Sequence, residues 1–195
     1  MAIIGNQAFS MTNFRGPLIR RLAATCDVFA LAPEYSAELR ARVREFGATP
    51  IDTPLARTGV NPIEDLRSLI VMTRQLRQLR IDVSLAFAVK PVIYGTIAAW
   101  LAGVPRRHAV IEGLGYAFIK DERLSIKRRT LRVLLSALYK FALSLANSVF
   151  FLNDDDCNDF ERWGFVSPAK TATVGAIGLA LEDWPMLPPA TSPMT

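Results

Sequence analysis

The sequence has little of what makes covalent or metal chemistry visible: two cysteines and one histidine in 195 residues. Cys26 and Cys157 stand far apart, in neither a CxxC nor a zinc-ligand spacing. Both facts argue against a disulfide framework and a structural metal, and for a reducing cytosol. His108 follows two arginines in an apolar stretch, where a structural role outweighs a catalytic one. There is no HExxH, P-loop, nucleophile elbow or Cys/His pairing. Long uncharged apolar runs are also missing. The longest, Leu131 to Leu152, is broken by Arg132, Lys140 and Asn147, whereas a membrane-spanning helix needs about 20 apolar residues. At the N-terminus, Ala2, Ile3 and Ile4 precede Gly5 and Asn6, too short an apolar core for a signal peptide and without a basic flank. The expectation is a cytoplasmic protein.

Half of the residues, 51%, are hydrophobic, enough at this length for one compact core and too little for two. The net charge of +5 suggests an anionic partner without choosing among nucleic acid, a phosphorylated substrate and a membrane surface. Apolar runs alternate with helical periods from end to end, the pattern of a doubly wound, mostly parallel sheet with helices on both faces, a Rossmann-like α/β domain.

Strands are predicted at Ala2 to Gly5, Asp27 to Ala32, Thr49 to Asp52, Val83 to Val89, His108 to Ile111, Ser148 to Leu152 and Thr171 to Val174. A polar loop and a helix carrying Leu18, Ile19 and Leu22 follow the first strand, and Ser36 caps a charged helix ending near Gly47. The clearest helix starts at Asn61 and Pro62, an N-cap followed by proline at the first helical position, and runs to about Arg80. Its apolar stripe reads as Leu66, Leu69, Ile70, Thr73 and Leu76, with Arg67, Arg74 and Arg77 largely outside it. A helix from Val92 to Ala102 closes at Gly103, and a long amphipathic helix spans roughly Leu124 to Leu145. The last helix runs from Asp154 to Trp163. The domain is expected to cover residues 1–184, with 185–195 a Pro-rich linker or tail.

In open α/β sheets ligands bind beyond the carboxyl ends of the strands, which directs attention to four loops. Ser10 to Gly16 brings Asn13, Arg15 and Gly16 to a helix start, where free N–H groups and the dipole favour an anion such as a diphosphate. Its alternative is an ordinary loop with a surface arginine. Lys90 and Tyr94 follow the central strand, as ligand contacts or as a solvated lysine beside a core tyrosine. Glu112-Gly113-Leu114-Gly115-Tyr116 lets the backbone approach a ligand, but the third glycine of a dinucleotide fingerprint would fall at Phe118. Asp154, Asp155 and Asp156 have the look of a DxD metal site. Carboxylates in a first helical turn are favoured without a metal, and no metal site is assigned.

Five segments in order resemble the N-terminal, acceptor-side half of family-4 glycosyltransferases of bacterial capsule, exopolysaccharide and O-antigen synthesis, which have the two-domain GT-B architecture. They are Asn13 to Gly16, Arg57 to Leu66, Lys90 to Gly95, Leu101 to Arg107, and Glu112 to Phe118. The resemblance extends to about Trp184. It implies retaining transfer of a sugar from a nucleotide donor to a saccharide linked to polyprenyl diphosphate. It also implies a separate C-terminal donor-binding domain, beyond where this sequence stops, and no cofactor other than the nucleotide sugar. Asn13, Arg15, Gly16, Lys90, Tyr94, Gly113, Gly115 and Tyr116 are then the substrate-binding candidates, and Glu112 is the catalytic carboxylate candidate that would orient an acceptor hydroxyl.

A rival reading is a non-catalytic Rossmann-like subunit that recruits a lipid-linked acceptor to the membrane. Lys127, Arg128, Arg129 and Arg132 concentrate positive charge at the start of the long helix and are expected to meet the anionic inner face of the plasma membrane peripherally. Nucleic acid is disfavoured because no base-stacking aromatics are interleaved with these residues.

Overall fold

The computed structural model describes residues 1–55, 61–114 and 126–175, with the side chains of 126–128 outside the description. Gly115, Tyr116, the Pro-rich tail and the side chains of Lys127 and Arg128 therefore lie outside the described residues.

The strands are β1 (Ala2–Ile4), β2 (Val28–Ala32), β3 (Ala48–Asp52), β4 (Val83–Phe87), β5 (Arg106–Ile111), β6 (Ser148–Phe151) and β7 (Thr171–Thr173). They form one parallel sheet in the order β3-β2-β1-β4-β5-β6-β7. The order reverses beside β1, which pairs with both β2 and β4, Ile3 lying opposite Ala30 on one side and Leu85 on the other. That reversal is the switch point at which such sheets open a crevice. Pro50 is tolerated in β3 because β3 is an edge strand.

Helices α1 (Ala8–Asn13), α2 (Gly16–Ala23) and α3 (Ala37–Glu45) connect the first three strands. Their buried residues Ala8, Met11, Ile19 and Val43 pack with Ile3, Val28 and Ala30 from one face of the sheet. Helices α4 (Pro62–Gln78), α5 (Thr96–Ala102), α6 (Ile126–Leu145) and α7 (Asp154–Arg162) follow. They contribute Met72, Leu76, Ala98, Tyr139, Leu143 and Phe160 to a second core with Ile4, Leu31, Ala86, Ala109 and Phe151. Alternate residues of the same strands thus serve two cores, as a buried parallel sheet requires.

Local signals explain the helix ends. Asn61 accepts from the Ile63 N–H at 3.2 Å, with Pro62 beginning α4. Ser36 caps α3, Asn153 caps α7 through the Asp156 N–H at 2.8 Å, and Gly103 ends α5 at φ 82°. These caps satisfy N–H and C=O groups that the helix itself leaves open.

Three expectations need correction. The segment from Ser10 is not one polar loop: Ser10 to Asn13 complete α1, and Phe14 and Arg15 form the corner into α2. The helix expected from Val92 is two pieces, a π-helical turn at Pro91–Gly95 and then α5. Most consequential, only part of the predicted stripe of α4 faces inward: Leu69 and Leu76 join the core and Thr73 is half-buried, but the buried side is turned away from Leu66 and Ile70. The buried residues of α4 are Asp65, Ser68, Met72 and Leu76, while Leu66 is 57% and Ile70 43% exposed. Periodicity finds an apolar stripe but not which way it faces, and the inward side here holds a buried acid with a partner. On α6, Leu131, Leu135, Leu138 and Leu145 pack against the core, and Leu134 is exposed.

Candidate functional site

Because every strand is parallel, the chain leaves β1, β4 and β5 at the same edge of the sheet. Two polar clusters form there. In the first, Arg15 donates through Nη2 to Glu112 Oε1, joining the α1–α2 corner to the end of β5. The arginine is 5% exposed and its guanidinium lies 4.3 Å above the Phe87 ring of β4. Among the described residues Nε and Nη1 find no hydrogen-bond partner. Burial pulls the Arg15 pKa down, and the charge and hydrogen bond of Glu112 oppose that pull.

These groups close one end of a cleft of about 390 Å³. Phe87, Val110, Phe150 and Leu152 of the sheet and the strand ends form its floor, and Phe14, Leu18 and Val174 form its walls. The result is an apolar slot with an ion pair in its lining, the usual make-up of a small-molecule site. A smaller hollow of about 200 Å³ lies on the other side of Glu112, between Ala88, Val89, Gly113 and Tyr139.

The second cluster belongs to the other face of the sheet. Asp65, 3% exposed in the first turn of α4, accepts from Lys90 Nζ at 2.7 Å and from the Tyr94 hydroxyl at 2.9 Å. Burial, together with the hydrogen bond and charge of Asp65, pushes the Tyr94 phenol above its usual range, so it remains a donor. The approach to Lys90 is strained: Ala88 takes φ 70°, the left-handed region, at a cost of about 1–2 kcal/mol, and the Val92 N–H bonds back to its carbonyl at 2.9 Å.

Of the sequence candidates, then, Arg15 meets Glu112, Lys90 and Tyr94 share Asp65, and among the described residues no hydrogen bond joins the two groups. Gly113 lines the smaller hollow. Asn13 ends α1, where its side-chain oxygen accepts from the Thr12 hydroxyl at 3.3 Å. Gly16 is explained by packing: a Cβ there would sit 2.9 Å from the Phe46 ring. Gly16→Ala should therefore cost about 1–3 kcal/mol in urea unfolding, by pushing Phe46 or the α2 start aside. Arg129 and Arg132 line a surface hollow of α6 with Val133 and Ser136, and the Arg132 guanidinium lies 5.6 Å above the Trp163 ring. Sequence reasoning did not single out Asp65, because an acid in a first helical turn reads as dipole compensation. The proline-capped helix start beside a lysine-bearing strand end was the signal available.

No family model matches the chain. It is 26% identical over 185 residues to the N,N'-diacetylbacillosaminyl-diphospho-undecaprenol alpha-1,3-N-acetylgalactosaminyltransferase of Campylobacter jejuni, an alignment covering 94% of this chain and 48% of that protein. Among solved structures, a glycosyltransferase from Rickettsia africae superposes with a TM-score of 0.60 at 9% identity, over 89% of this chain and 42% of the other. The fold is that of the N-terminal half of a GT-B enzyme. The same GT-B half is seen in the UDP-GlcNAc 2-epimerase of Neisseria meningitidis bound to UDP-GlcNAc, with a TM-score of 0.59, 14% identity and coverage of 90% and 46%. The chain spans about half the length of the curated relative it matches. A GT-B half thus accounts for the sheet order, while the epimerase neighbour shows that this fold serves more than one reaction.

Proposed function

We propose that this GT-B half forms the acceptor side of a retaining glycosyltransferase, which moves a sugar from a nucleotide donor to a saccharide carried on a lipid diphosphate. The observation that supports it most is the pair of clusters, Arg15–Glu112 and Asp65–Lys90–Tyr94, on one edge of a GT-B sheet. The acceptor named for the Campylobacter relative is a diphospho-undecaprenol saccharide.

In this reading a second domain holds the nucleotide across the edge of the sheet, and the described half supplies acceptor contacts. An ammonium offers three donors and Asp65 takes one of those of Lys90, which leaves donors for an acceptor phosphate. Glu112 gives Oε1 to Arg15, and its other oxygen orients the acceptor hydroxyl. No protein nucleophile is needed, since negative charge builds on the departing diphosphate and fixed donors stabilise it. Acceptor and enzyme meet at the membrane, to whose anionic lipids the basic start of α6 is drawn. No helix among the described residues is long and apolar enough to cross the bilayer.

Calorimetry on the 195-residue chain with a short-chain polyprenyl-diphosphate saccharide tests the assignment. Binding is expected, and Lys90→Ala should weaken it about ten- to a hundredfold, the worth of one hydrogen bond to a charged group. UDP-sugars alone should bind weakly. Sub-micromolar UDP-sugar binding, or acceptor binding indifferent to Lys90, would overturn the division of labour. A 2-epimerase would instead turn over UDP-GlcNAc with no acceptor present.

A further inference from the structure

The outward face of α4 is unexplained by the core. Ile63, at 81% exposed, Leu66 and Ile70 point outward with Arg67, Arg74 and Arg77, while the inward side carries Asp65 and Ser68. Helix α6 repeats the arrangement. Val133 is 66% and Phe141 50% exposed, Leu134 is exposed beside them, and Arg129 and Lys140 share that side. Between them α5, packed against both helices, exposes Trp100 and Leu101. Most of the exposed large hydrophobic side chains therefore sit on one helical layer. Scattered singly they would need no explanation, but gathered on one side and interspersed with cations they mark a contact surface.

Charge identifies the occupant. Among the described residues the only acid at an exposed position of α4, α5 or α6 is Glu64, against Arg67, Arg74, Arg77, Arg129 and Lys140. A second copy of this chain would set these cations against one another. An anionic bilayer accepts both components: apolar side chains enter the boundary between headgroups and acyl chains, and arginine and lysine stems lie along them with their charges at phosphate level.

We infer that the outer surface of α4, α5 and α6 is an interfacial membrane-docking face for anionic phospholipid. Ile63, Leu66, Ile70 and Val133 insert, and Arg67, Arg74 and Arg129 pair with lipid phosphates. The inference rests on the reading of a membrane-linked acceptor and moves the contact from the basic end of one helix to a three-helix face with inserted side chains. It also sets the geometry of the site, because Ile63 and Leu66 belong to the same end of α4 as Asp65, whose partner is Lys90.

Flotation of the full chain with phosphatidylglycerol–phosphatidylcholine vesicles tests it. The protein should bind these vesicles and not phosphatidylcholine alone. Ile63→Ser, Leu66→Ser and Ile70→Ser together, which leave the charge unchanged, should weaken binding about tenfold or more at an unaltered melting temperature. Leu66→Trp gives a second reading independent of that variant: its added emission should shift to the blue when vesicles are present. If the folded triple variant binds like the parent while Arg129→Glu with Arg132→Glu abolishes binding, the three-helix face is wrong and the membrane reading survives. Absence of vesicle binding by the parent overturns both, leaving the acceptor calorimetry as the test of the transferase. A dimer that disperses in the triple variant, with no vesicle binding, assigns the face to a second copy and overturns the inference.

Discussion

Glu112→Leu is expected to destabilise the protein by about 3 kcal/mol or more, and Arg15→Met by about 1 kcal/mol, although the two residues form one ion pair. The asymmetry follows from burial. The Arg15 side chain is 6% exposed and that of Glu112 22%. Without Glu112, a guanidinium whose other two nitrogens have no partner among the described residues keeps its charge in a slot of Phe87, Phe14 and Leu18. Without Arg15, the carboxylate can draw water from the open side of the cleft. Replacing both, Arg15→Met with Glu112→Leu, removes charge and counter-charge together and should come within about 1 kcal/mol of the parent, because apolar side chains suit those walls. Urea unfolding of the four proteins measures the cycle. Equal losses in the two single variants would mean that the pair is hydrated and the cleft open. The double variant also separates stability from recognition: a folded protein that no longer binds the acceptor shows that the pair is kept for the ligand.

Phe160→Ala should cost about 4 kcal/mol, the usual range for removing a fully buried ring being about 3–5 kcal/mol. Phe160 is 0% exposed and meets four rings with centroids between 5.2 and 6.0 Å: Tyr139 of α6, Phe151 of β6, Trp163 and Phe165. Three of these contacts are edge-to-face and the one with Trp163 is tilted; such contacts add to the area they bury, and no neighbour can fill the space without breaking one of them. Phe160→Leu keeps most of the volume and should cost about 1–2 kcal/mol. Thermal melts and urea curves decide it, and a loss below about 1 kcal/mol for the alanine variant would show that the cluster collapses around the gap. Since Tyr139 lies one turn before Leu143 on the buried side of α6, the variant also loosens the helix that carries Val133 and Phe141.

The order and type of the main elements were legible in the sequence because their signals are local. A strand buried on both faces must be a short apolar run, so Val83 to Val89 stands out, of which Val83–Phe87 forms β4. Asn61-Pro62, Asn153 and Gly103 fix helix ends with the atoms of neighbouring residues. Where the segment from Ser10 turns into α1 and where the π-turn interrupts the helix at Gly95 was not legible. Both lie where the chain meets residues distant in sequence: Met11 packs beside Ile3, and a Cβ on Gly95 would stand 3.3 Å from Ile4.

Arg15, Lys90, Tyr94 and Glu112 could be picked out because each stands near the end of an apolar run in a fold whose ligands gather at that edge. Which of them touch was decided only by the sheet. Strand order sets β5 two places from β1 and so brings Glu112 to an arginine 97 positions earlier, while Lys90 turns to the opposite face and to Asp65 on α4. The orientation of α4 was likewise undetermined by its own residues. A 3.6-residue period fixes which side chains share a side and not which side meets the sheet. On the inward side Met72 and Leu76 pack in the core and Asp65 accepts from Lys90, and Ile63, Leu66 and Ile70 are left facing out. Sequence thus determined the elements, whose causes lie within a few residues, and tertiary structure decided partners and facing, whose causes lie across the sheet.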